Sequence, residues 1–159
     1  MLQIRPAEIS DIPLILDFIK GIAEYEKLPH EVVATEASLR SALFEEKSTI
    51  RVLLAFLDDI PAGYAIFFNN FSTFIGKQGI YLEDIFVKPE YRSKGIGKKL
   101  FMEIVKTAKE QNCGRLEWSV LDWNTPAIEF YKSLGAVPMT GWTVYRLTEE
   151  KIKALSEES

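Results

Sequence analysis

The segment between Val87 and Lys98 combines glycines with basic side chains, a composition suited to binding an anion. Gly95 and Gly97 stand two residues apart, shortly after Arg92, where a predicted strand ends and a predicted helix begins. Backbone N–H groups in the first turn of a helix have no intrahelical partner, and glycines let a phosphate approach them closely. The segment therefore predicts a phosphate-binding loop. The alternative is that the glycines only shape the start of a helix and the basic residues form a solvated surface.

The spacing of these glycines differs from that of the common nucleotide-binding loops. A dinucleotide-binding loop would carry a third glycine after the G-x-G, and this chain has none at that place. A nucleotide triphosphate loop would need a glycine five residues before Gly97, where Arg92 stands, and a Ser or Thr after Lys98, where Lys99 stands. The loop is therefore predicted to bind an anion in another structural context.

The elements that must position this loop follow from the hydrophobic periodicity of the chain. Apolar residues at spacings of three and four predict helices, and runs rich in β-branched and aromatic residues predict strands. The predicted strands are 2–5, 50–56, 62–71, 79–87, 116–121 and 142–147, and the predicted helices are 10–25, a segment capped by Thr35, 95–111, 124–134 and the charged tail. The fold class is therefore α/β, with one mixed central sheet and helices on both of its faces.

Composition excludes several classes of function. The chain has 159 residues, which predicts one domain, and its net charge of −4 argues against a nucleic-acid-binding protein. Cys113 and His30 are the only residues of their types, so we expect no disulfide and no metal site. No apolar run is long enough to cross a membrane, and the first residues do not read as a signal peptide. We expect a cytoplasmic protein that does not bind membranes.

Several stretches of the chain together resemble one enzyme family. Arg92-x-x-Gly95-x-Gly97 at a strand-to-helix turn resembles the pyrophosphate-binding motif of the GNAT acetyltransferases. The chain is similar, nearly end to end, to the spermidine/spermine and thialysine acetyltransferase group of that family. The similarity rests on Ile4-Arg5-Pro6-Ala7, Ala23-Glu24-Tyr25-Glu26, Tyr81-Leu82-Glu83-Asp84-Ile85-Phe86-Val87, Leu121-Asp122-Trp123-Asn124, and Phe130-Tyr131-Lys132 before Gly135-Ala136. It implies a single-domain GNAT fold over residues 1–159, with a cofactor-binding core at about 79–135.

The resemblance also implies the residues that bind acetyl-CoA. Main-chain groups of one strand would contact the acetyl and pantetheine portions, the glycine loop would hold the pyrophosphate, and the start of a later helix would complete the site. These residues are Ile85, Phe86 and Val87, then Arg92, Ser93, Lys94, Gly95, Ile96, Gly97 and Lys98, and finally Asn124, Thr125, Pro126, Ala127 and Tyr131.

Two further roles concern proton transfer. Tyr131 corresponds to the family's general acid for the departing CoA thiolate, although its spacing from Phe130 and Leu134 is also that of a core tyrosine. A lysine-like ammonium has a pKa of about 10.4, so the acceptor amine must lose a proton before it attacks. Glu83 matches the carboxylate that receives this proton, directly or through a water. Strict strand alternation sends its neighbour Asp84 to the opposite face.

The acceptor is expected to be a small cationic molecule. Tyr25 and Glu26 match substrate contacts of the family, with the alternative that this charged helix end is merely solvated. The neutral loop Asn70-Phe71-Ser72-Thr73-Phe74 is more similar to the thialysine branch than to the polyamine branch. We therefore expect a thialysine- or lysine-like amino acid, a diamine or a polyamine, with spermine disfavoured.

Two other functions compete with this interpretation. The acceptor could be a protein lysine or N-terminus, or the chain could be a non-catalytic CoA-binding module. The presence of both Glu83 and Tyr131 argues against the second. The resemblance also implies a homodimer.

Overall fold

The structure is a computed structural model that describes residues 1–158, and the chain divides into two compact units, Met1–Leu121 and Asp122–Ser159. The first unit is built around a five-stranded sheet whose strands lie in chain order. The first four strands pair antiparallel, and the fourth and fifth pair parallel, so the sheet is mixed as predicted. The strands are β1 (Leu2–Pro6), β2 (Arg51–Leu57), β3 (Ile60–Ser72), β4 (Lys77–Val87) and β5 (Leu116–Trp118).

Three α-helices belong to the first unit and two to the second. In the first unit they are α1 (Ile12–Tyr25), α2 (Glu36–Phe44) and α3 (Ile96–Glu110), with 3-10 turns at Ile9–Asp11, Pro29–Glu31 and Pro89–Tyr91. In the second unit they are α4 (Thr125–Ser133) and α5 (Glu149–Ser156). Among residues 1–158, no helix has the length and apolar character needed to span a bilayer.

Helices cover both faces of the sheet, as the sequence predicts. Helix α1 packs its apolar stripe on one face, in a core formed by Ile12, Ile15, Phe18, Leu39, Val52, Leu54, Tyr64, Ile66 and Phe86. Successive side chains of a strand point to opposite faces, so Ala65 and Phe67 lie on the other face. Helix α3 contacts β2, β3 and β4, and it buries Ile96, Leu100, Phe101 and Ile104.

The start of α1 is tied to β1 by an ion pair. Arg5 binds the Asp11 carboxylate through two nitrogens, at 2.7 and 3.1 Å, and Asp11 also accepts the backbone N–H of Glu8 at 2.7 Å. The hydrogen bond from Arg5 lowers the pKa of Asp11, with the backbone N–H of Glu8 acting in the same direction. A partly buried bidentate pair of this kind holds the helix start against the edge of the sheet.

The predicted hairpin turn after β2 is confirmed, because Asp58 and Asp59 link β2 to β3 with positive φ angles of 51° and 66°. Strand β3 continues to Ser72, further than predicted, and β5 ends at Trp118 rather than at 121. The predicted strand at 142–147 is wrong, since no strand is found in the described part of the second unit. A strand needs a hydrogen-bonding partner, which β-forming residue types do not supply by themselves.

Candidate active site

The main irregularity of the sheet is a bulge at Glu83. In the β3–β4 register Ile66 faces Asp84 while its neighbour Phe67 faces Leu82, so Glu83 is an extra residue on β4. A β-bulge interrupts the alternation of side chains, bends the strand and re-aims the residues around it. The expectation that Glu83 and Asp84 point to opposite faces therefore loses its premise, because it assumed an unbroken strand.

The Asp84 carboxylate lies on the face that α1 covers. The buried Tyr64 donates its phenolic O–H to Oδ2 of Asp84 at 2.7 Å. Burial raises the pKa of Asp84, and the hydrogen bond from Tyr64 opposes part of that rise. Burial also raises the pKa of Tyr64 well above its ordinary value, with additional effects from the negative charges of Asp84, Glu26 and Glu83. The negative charges of three carboxylates therefore act on one phenol.

Glu26 joins this group from the end of α1. It is half-buried and follows Tyr25, the last residue of the helix. Burial raises the pKa of Glu26, and the charge of Asp84 raises it further. Two carboxylates that destabilise each other's negative charge favour a cation between or beside them. Sequence reasoning identified Glu26 and Glu83 but missed Asp84, because only the strand register reveals the bulge.

Arg92 connects the glycine loop to the end of α1. Its Nε donates to the main-chain carbonyl of Val87 at 3.0 Å, across the 3-10 turn. Its guanidinium carbon lies 4.6 Å from the centroid of the Tyr25 ring and 5.6 Å from that of Phe86. The structure therefore brings together residues predicted for the cofactor and a residue predicted for the acceptor.

The loop before α3 presents unused backbone donors. Gly95 is the N-cap of α3, and its φ of 79° is a left-handed conformation that glycine adopts without strain. No side chain caps this helix start, and the first helical hydrogen bond reaches Gly95 from Lys99 at 3.1 Å. Ser93 also has a positive φ, of 63°, which is uncommon for a residue with a side chain. The geometry is that of an anion-binding helix start.

Gly97 is a glycine that the fold itself does not require. It lies in the first turn of α3 and is not among the residues with positive φ. A Cβ atom there would meet only the Val87 side chain, at an ordinary 3.6 Å. Glycine costs a helix roughly 1 kcal/mol relative to alanine, so its presence favours close approach of a ligand to the backbone. Gly95 therefore shapes the helix start, whereas Gly97 has no such structural reason.

The burial of each residue in the predicted cofactor segment indicates whether its side chain or only its main chain could contact acetyl-CoA. Ser93, Lys94 and Lys98 are exposed, so their side chains are available to a phosphate. Ile96 is 2% exposed and Phe86 is 7% exposed, which leaves only their main-chain groups. The side chains of Ile85 and Val87 are half-buried on β4.

The remaining predicted residues lie in the second unit, on and before α4. The buried Asn124 caps this helix by accepting the N–H of Ala127 at 3.4 Å, with Thr125 and Pro126 in the first turn. Tyr131 lies in the last turn, where its ring is 5.6 Å from that of Phe130. The helix ends at Ser133, and Gly135 follows it with a φ of 88°. The N–H of Ala136 donates to the carbonyl of Tyr131 at 3.1 Å, and that of Gly135 donates to the carbonyl of Lys132 at 3.0 Å. This terminating motif fixes the backbone at Tyr131.

Within the described residues, no group of three or more His, Cys, Asp or Glu side chains is placed to hold a metal ion. The expectation that the protein uses no metal stays a prediction.

Comparisons with known proteins agree with the family predicted from the sequence. Residues 19–136 match the family described as Acetyltransferase (GNAT) family. The chain is 38% identical to thialysine N-epsilon-acetyltransferase from Bos taurus, over 97% of this chain and 96% of that protein. It is 32% identical to L-ornithine N5-acetyltransferase from Arabidopsis thaliana, over 98% of this chain and 88% of that protein. The structure of an integron cassette protein from V. cholerae superposes with a TM-score of 0.80 at 28% identity, covering 98% of both chains.

Proposed function

The chain belongs to the GNAT acetyltransferase family and is an N-acetyltransferase, and on that premise we propose that it acetylates a primary amine of a small cationic molecule. The observation that supports a cationic acceptor is the cluster of carboxylates near the β4 bulge. Glu26 and Asp84 have raised pKa values because both are partly removed from water, and an ammonium group would compensate their charge.

We propose a thialysine- or lysine-like amino acid or a short diamine as the preferred acceptor. The relatives named for thialysine and ornithine acetylation support this choice, as does the absence of acidic residues from Asn70 to Phe74. A long polyamine would place additional ammonium groups outward, where a neutral loop offers no compensating charge. A relative named spermidine/spermine N(1)-acetyltransferase-like protein 1 is only 29% identical.

We propose that acetyl-CoA binds to the glycine loop before α3 and to the end of β4. The backbone N–H groups between Ser93 and Lys98 would bind the pyrophosphate, and Gly97 would allow its close approach. Lys94 and Lys98 would add positive charge from exposed side chains. The main chain of Ile85, Phe86 and Val87, and residues 124–127, would bind the rest of the molecule. Gly97 carries this assignment because nothing in the fold explains a glycine there.

The reaction follows from these groups. The acceptor nitrogen attacks the thioester carbonyl directly, a C–N bond forms, and the C–S bond breaks. The ammonium first loses one proton to Glu83, directly or through a water. The Tyr131 phenol gives a proton to the departing thiolate, and the second proton that the nitrogen loses as the amide forms balances the one that the phenol gave. Tyr25 and Glu26 would hold the rest of the acceptor, and Asp84 would stabilise its distal ammonium.

We further propose that the protein is a cytoplasmic homodimer. Apolar side chains in the second unit supply one reason, because Val137, Trp142, Val144 and Tyr145 are each at least 75% exposed. Exposed apolar side chains grouped in one segment are typical of surfaces that bind another protein.

The test is release of CoA thiol from acetyl-CoA with thialysine, lysine, ornithine, diaminopropane, spermidine and spermine. We expect turnover of the short amines and lysine analogues. Replacing Tyr131→Phe should lower kcat about 10²- to 10⁴-fold, the usual contribution of a general acid. Tyr145→Phe, which changes an exposed tyrosine in the same unit, should leave the rate unchanged.

Two results would contradict the proposal. A clear preference for spermidine would move the protein to polyamine acetylation. No turnover with any amine, while acetyl-CoA still binds, would favour a protein acceptor or a non-catalytic role.

A further inference from the structure

We propose that Arg92 is a positioning residue for the acceptor amine, because its side chain braces the end of α1 against β4. The inference rests on the proposed function, in which Tyr25 and Glu26 at that helix end contact the acceptor. Arg92 would thus help to position the acceptor amine, in addition to its predicted role in binding pyrophosphate.

The orientation of the Arg92 side chain supports this role. Its Nε is engaged by the Val87 carbonyl at 3.0 Å, which fixes the guanidinium beside β4. The guanidinium then lies against the Tyr25 ring at 4.6 Å and the Phe86 ring at 5.6 Å. Both distances lie within the range of a cation–π contact. Arg92 therefore links one residue of the helix end to one of the strand.

The bracing contact completes a row of contacts along α1. Phe18 packs edge-on against Phe86 with 6.5 Å between ring centroids. At Gly21 the helix passes so close to Phe86 that an added Cβ would lie 2.9 Å from its ring. Tyr25 is one turn further along the same face, because residues four apart are neighbours on a helix. Arg92 provides the contact to β4 at this last turn.

The last turn of a helix is where bracing matters most. Terminal turns fray because their final carbonyls lack helical partners, and a cation near a helix C-terminus also interacts favourably with the helix dipole. The amides of Glu26 and Leu28 bond to the carbonyls of Ile22 and Ala23 at 2.9 and 2.8 Å. Loss of the Arg92 side chain should weaken these two hydrogen bonds, and Glu26 should then be held less firmly.

The kinetic test compares Arg92→Gln with Lys99→Gln, which removes an exposed charge near the beginning of α3 from a residue with no role in the proposed site. We expect Arg92→Gln to raise the KM for the amine about two- to fivefold, the size of one exposed cation–π contact. The increase should be the same when S-acetyl-pantetheine, which has no pyrophosphate, replaces acetyl-CoA. Lys99→Gln should leave the amine KM unchanged.

A double-mutant cycle with Tyr25 identifies the partner. In a Tyr25→Phe background the ring remains, so Arg92→Gln should raise the amine KM by the same factor as in the unmodified protein. In a Tyr25→Leu background the ring is gone, so Arg92→Gln should have little further effect. Full additivity in the Leu background, or an effect seen only with acetyl-CoA, would overturn the proposal in favour of a pyrophosphate contact alone.

Hydrogen exchange without any substrate tests the brace separately from the activity. Arg92→Gln should speed amide exchange at Glu26 and Leu28 about two- to fivefold, whereas Lys99→Gln should not. Unchanged exchange would overturn the brace. Faster exchange with an unchanged amine KM would overturn the acceptor role. If the unmodified protein acetylates no amine, the proposed function fails, and exchange at these amides still decides whether Arg92 braces the helix.

Discussion

At the scale of single residues, Asp84 is a carboxylate whose burial makes its charged form unfavourable. Burial disfavours its negative charge, and one hydrogen bond from Tyr64 offsets part of the cost. The charge of Asp84 in turn raises the pKa of Glu26. Charged groups partly removed from water lower the stability of the unliganded protein and strengthen its attraction for a cation. In the proposed acceptor site, Asp84 would therefore lower the stability of the protein and strengthen the binding of an ammonium group.

Replacing Asp84→Asn should stabilise the unliganded protein at neutral pH. The carboxamide oxygen still accepts the Tyr64 hydrogen bond, and the penalised charge is gone. Since burial raises the pKa of Asp84 in the folded state, the penalty exists above that pKa and disappears as the pH falls through it. The stability difference between the two proteins should therefore shrink toward acid pH, as measured by chemical unfolding from pH 4 to 8.

The same substitution should weaken acceptor binding. Loss of a charged hydrogen-bonding partner typically costs about 1.5–3 kcal/mol, so the amine KM should rise about ten- to hundredfold. Asp17→Asn, on an exposed position of α1, is the control and should change neither stability nor KM appreciably. An unchanged amine KM in Asp84→Asn would remove Asp84 from the acceptor site.

The two loop glycines should respond differently to alanine. Gly97→Ala should raise the free energy of unfolding by up to about 1 kcal/mol through helix propensity, and should weaken CoA binding by crowding the phosphate. Gly95→Ala should lower the free energy of unfolding by about 1–2 kcal/mol, because its φ of 79° disfavours a Cβ. Chemical unfolding and calorimetric titration with CoA measure both effects. Undiminished CoA binding by Gly97→Ala would show that no ligand approaches that position.

At the scale of elements, two arginines hold the two ends of α1. One lies on β1 and the other follows the 3-10 turn after β4. Arg5 holds Asp11 at the beginning of the helix, and Arg92 contacts Tyr25 at its end. Between them, Phe18 and Gly21 set the distance to Phe86. These contacts fix the final turn of the helix, and the Glu26 residue that follows it, relative to the β4 bulge.

Asp11→Ala should lower the free energy of unfolding by about 1–2 kcal/mol, because it breaks a partly buried bidentate pair and frees the N–H of Glu8. The pKa of Asp11 is lowered in the folded state, so the stabilisation is present above its unfolded pKa and is lost as the pH falls through the folded one. The difference from the unmodified protein should therefore narrow in acid, as followed by chemical unfolding. Asp11→Asn retains an acceptor for Glu8 and should lose less stability; an equal loss would argue against a role for that hydrogen bond.

At the scale of the whole molecule, the two units contribute different parts of the proposed machinery. The first unit holds the glycine loop, the β4 bulge and the end of α1, and the second holds Asn124 and Tyr131 on a capped helix. The described part of the second unit has no strand, and many of its apolar side chains are exposed. These side chains add one reason, besides the family resemblance, for proposing a second copy of the chain as a partner.

If the protein is a homodimer that uses this surface, Trp142→Ser with Tyr145→Ser should weaken the dimer. Both side chains are largely exposed, at 76% and 92%, so their loss should cost the isolated chain little stability. Light scattering after size-exclusion chromatography over a range of concentrations measures the mass. A dimer that resists both substitutions would place the interface elsewhere, and a monomeric unmodified protein would contradict the dimer itself.

Sequence by itself determined most elements of this protein and the family to which it belongs. The periodicity of α1 and α3, the glycine loop and the Asp58-Asp59 turn are local patterns, and local patterns record the backbone conformation of nearby residues. The segment from Arg92 to Lys98 was accessible for the same reason, whereas Glu83 and Tyr131 were identified only through the resemblance of the chain to the family. The predicted strand at 142–147 failed because a strand depends on a partner distant in sequence.

Tertiary structure alone decided three features of the candidate site. The bulge at Glu83 follows from the register between β3 and β4, and it places Asp84 beside Tyr64 and Glu26. The side chain of Arg92 turns toward Tyr25, which lies far earlier in the chain. Register, burial and contacts between distant residues arise only when the elements pack, so the sequence could name the charged residues but not which of them share an environment.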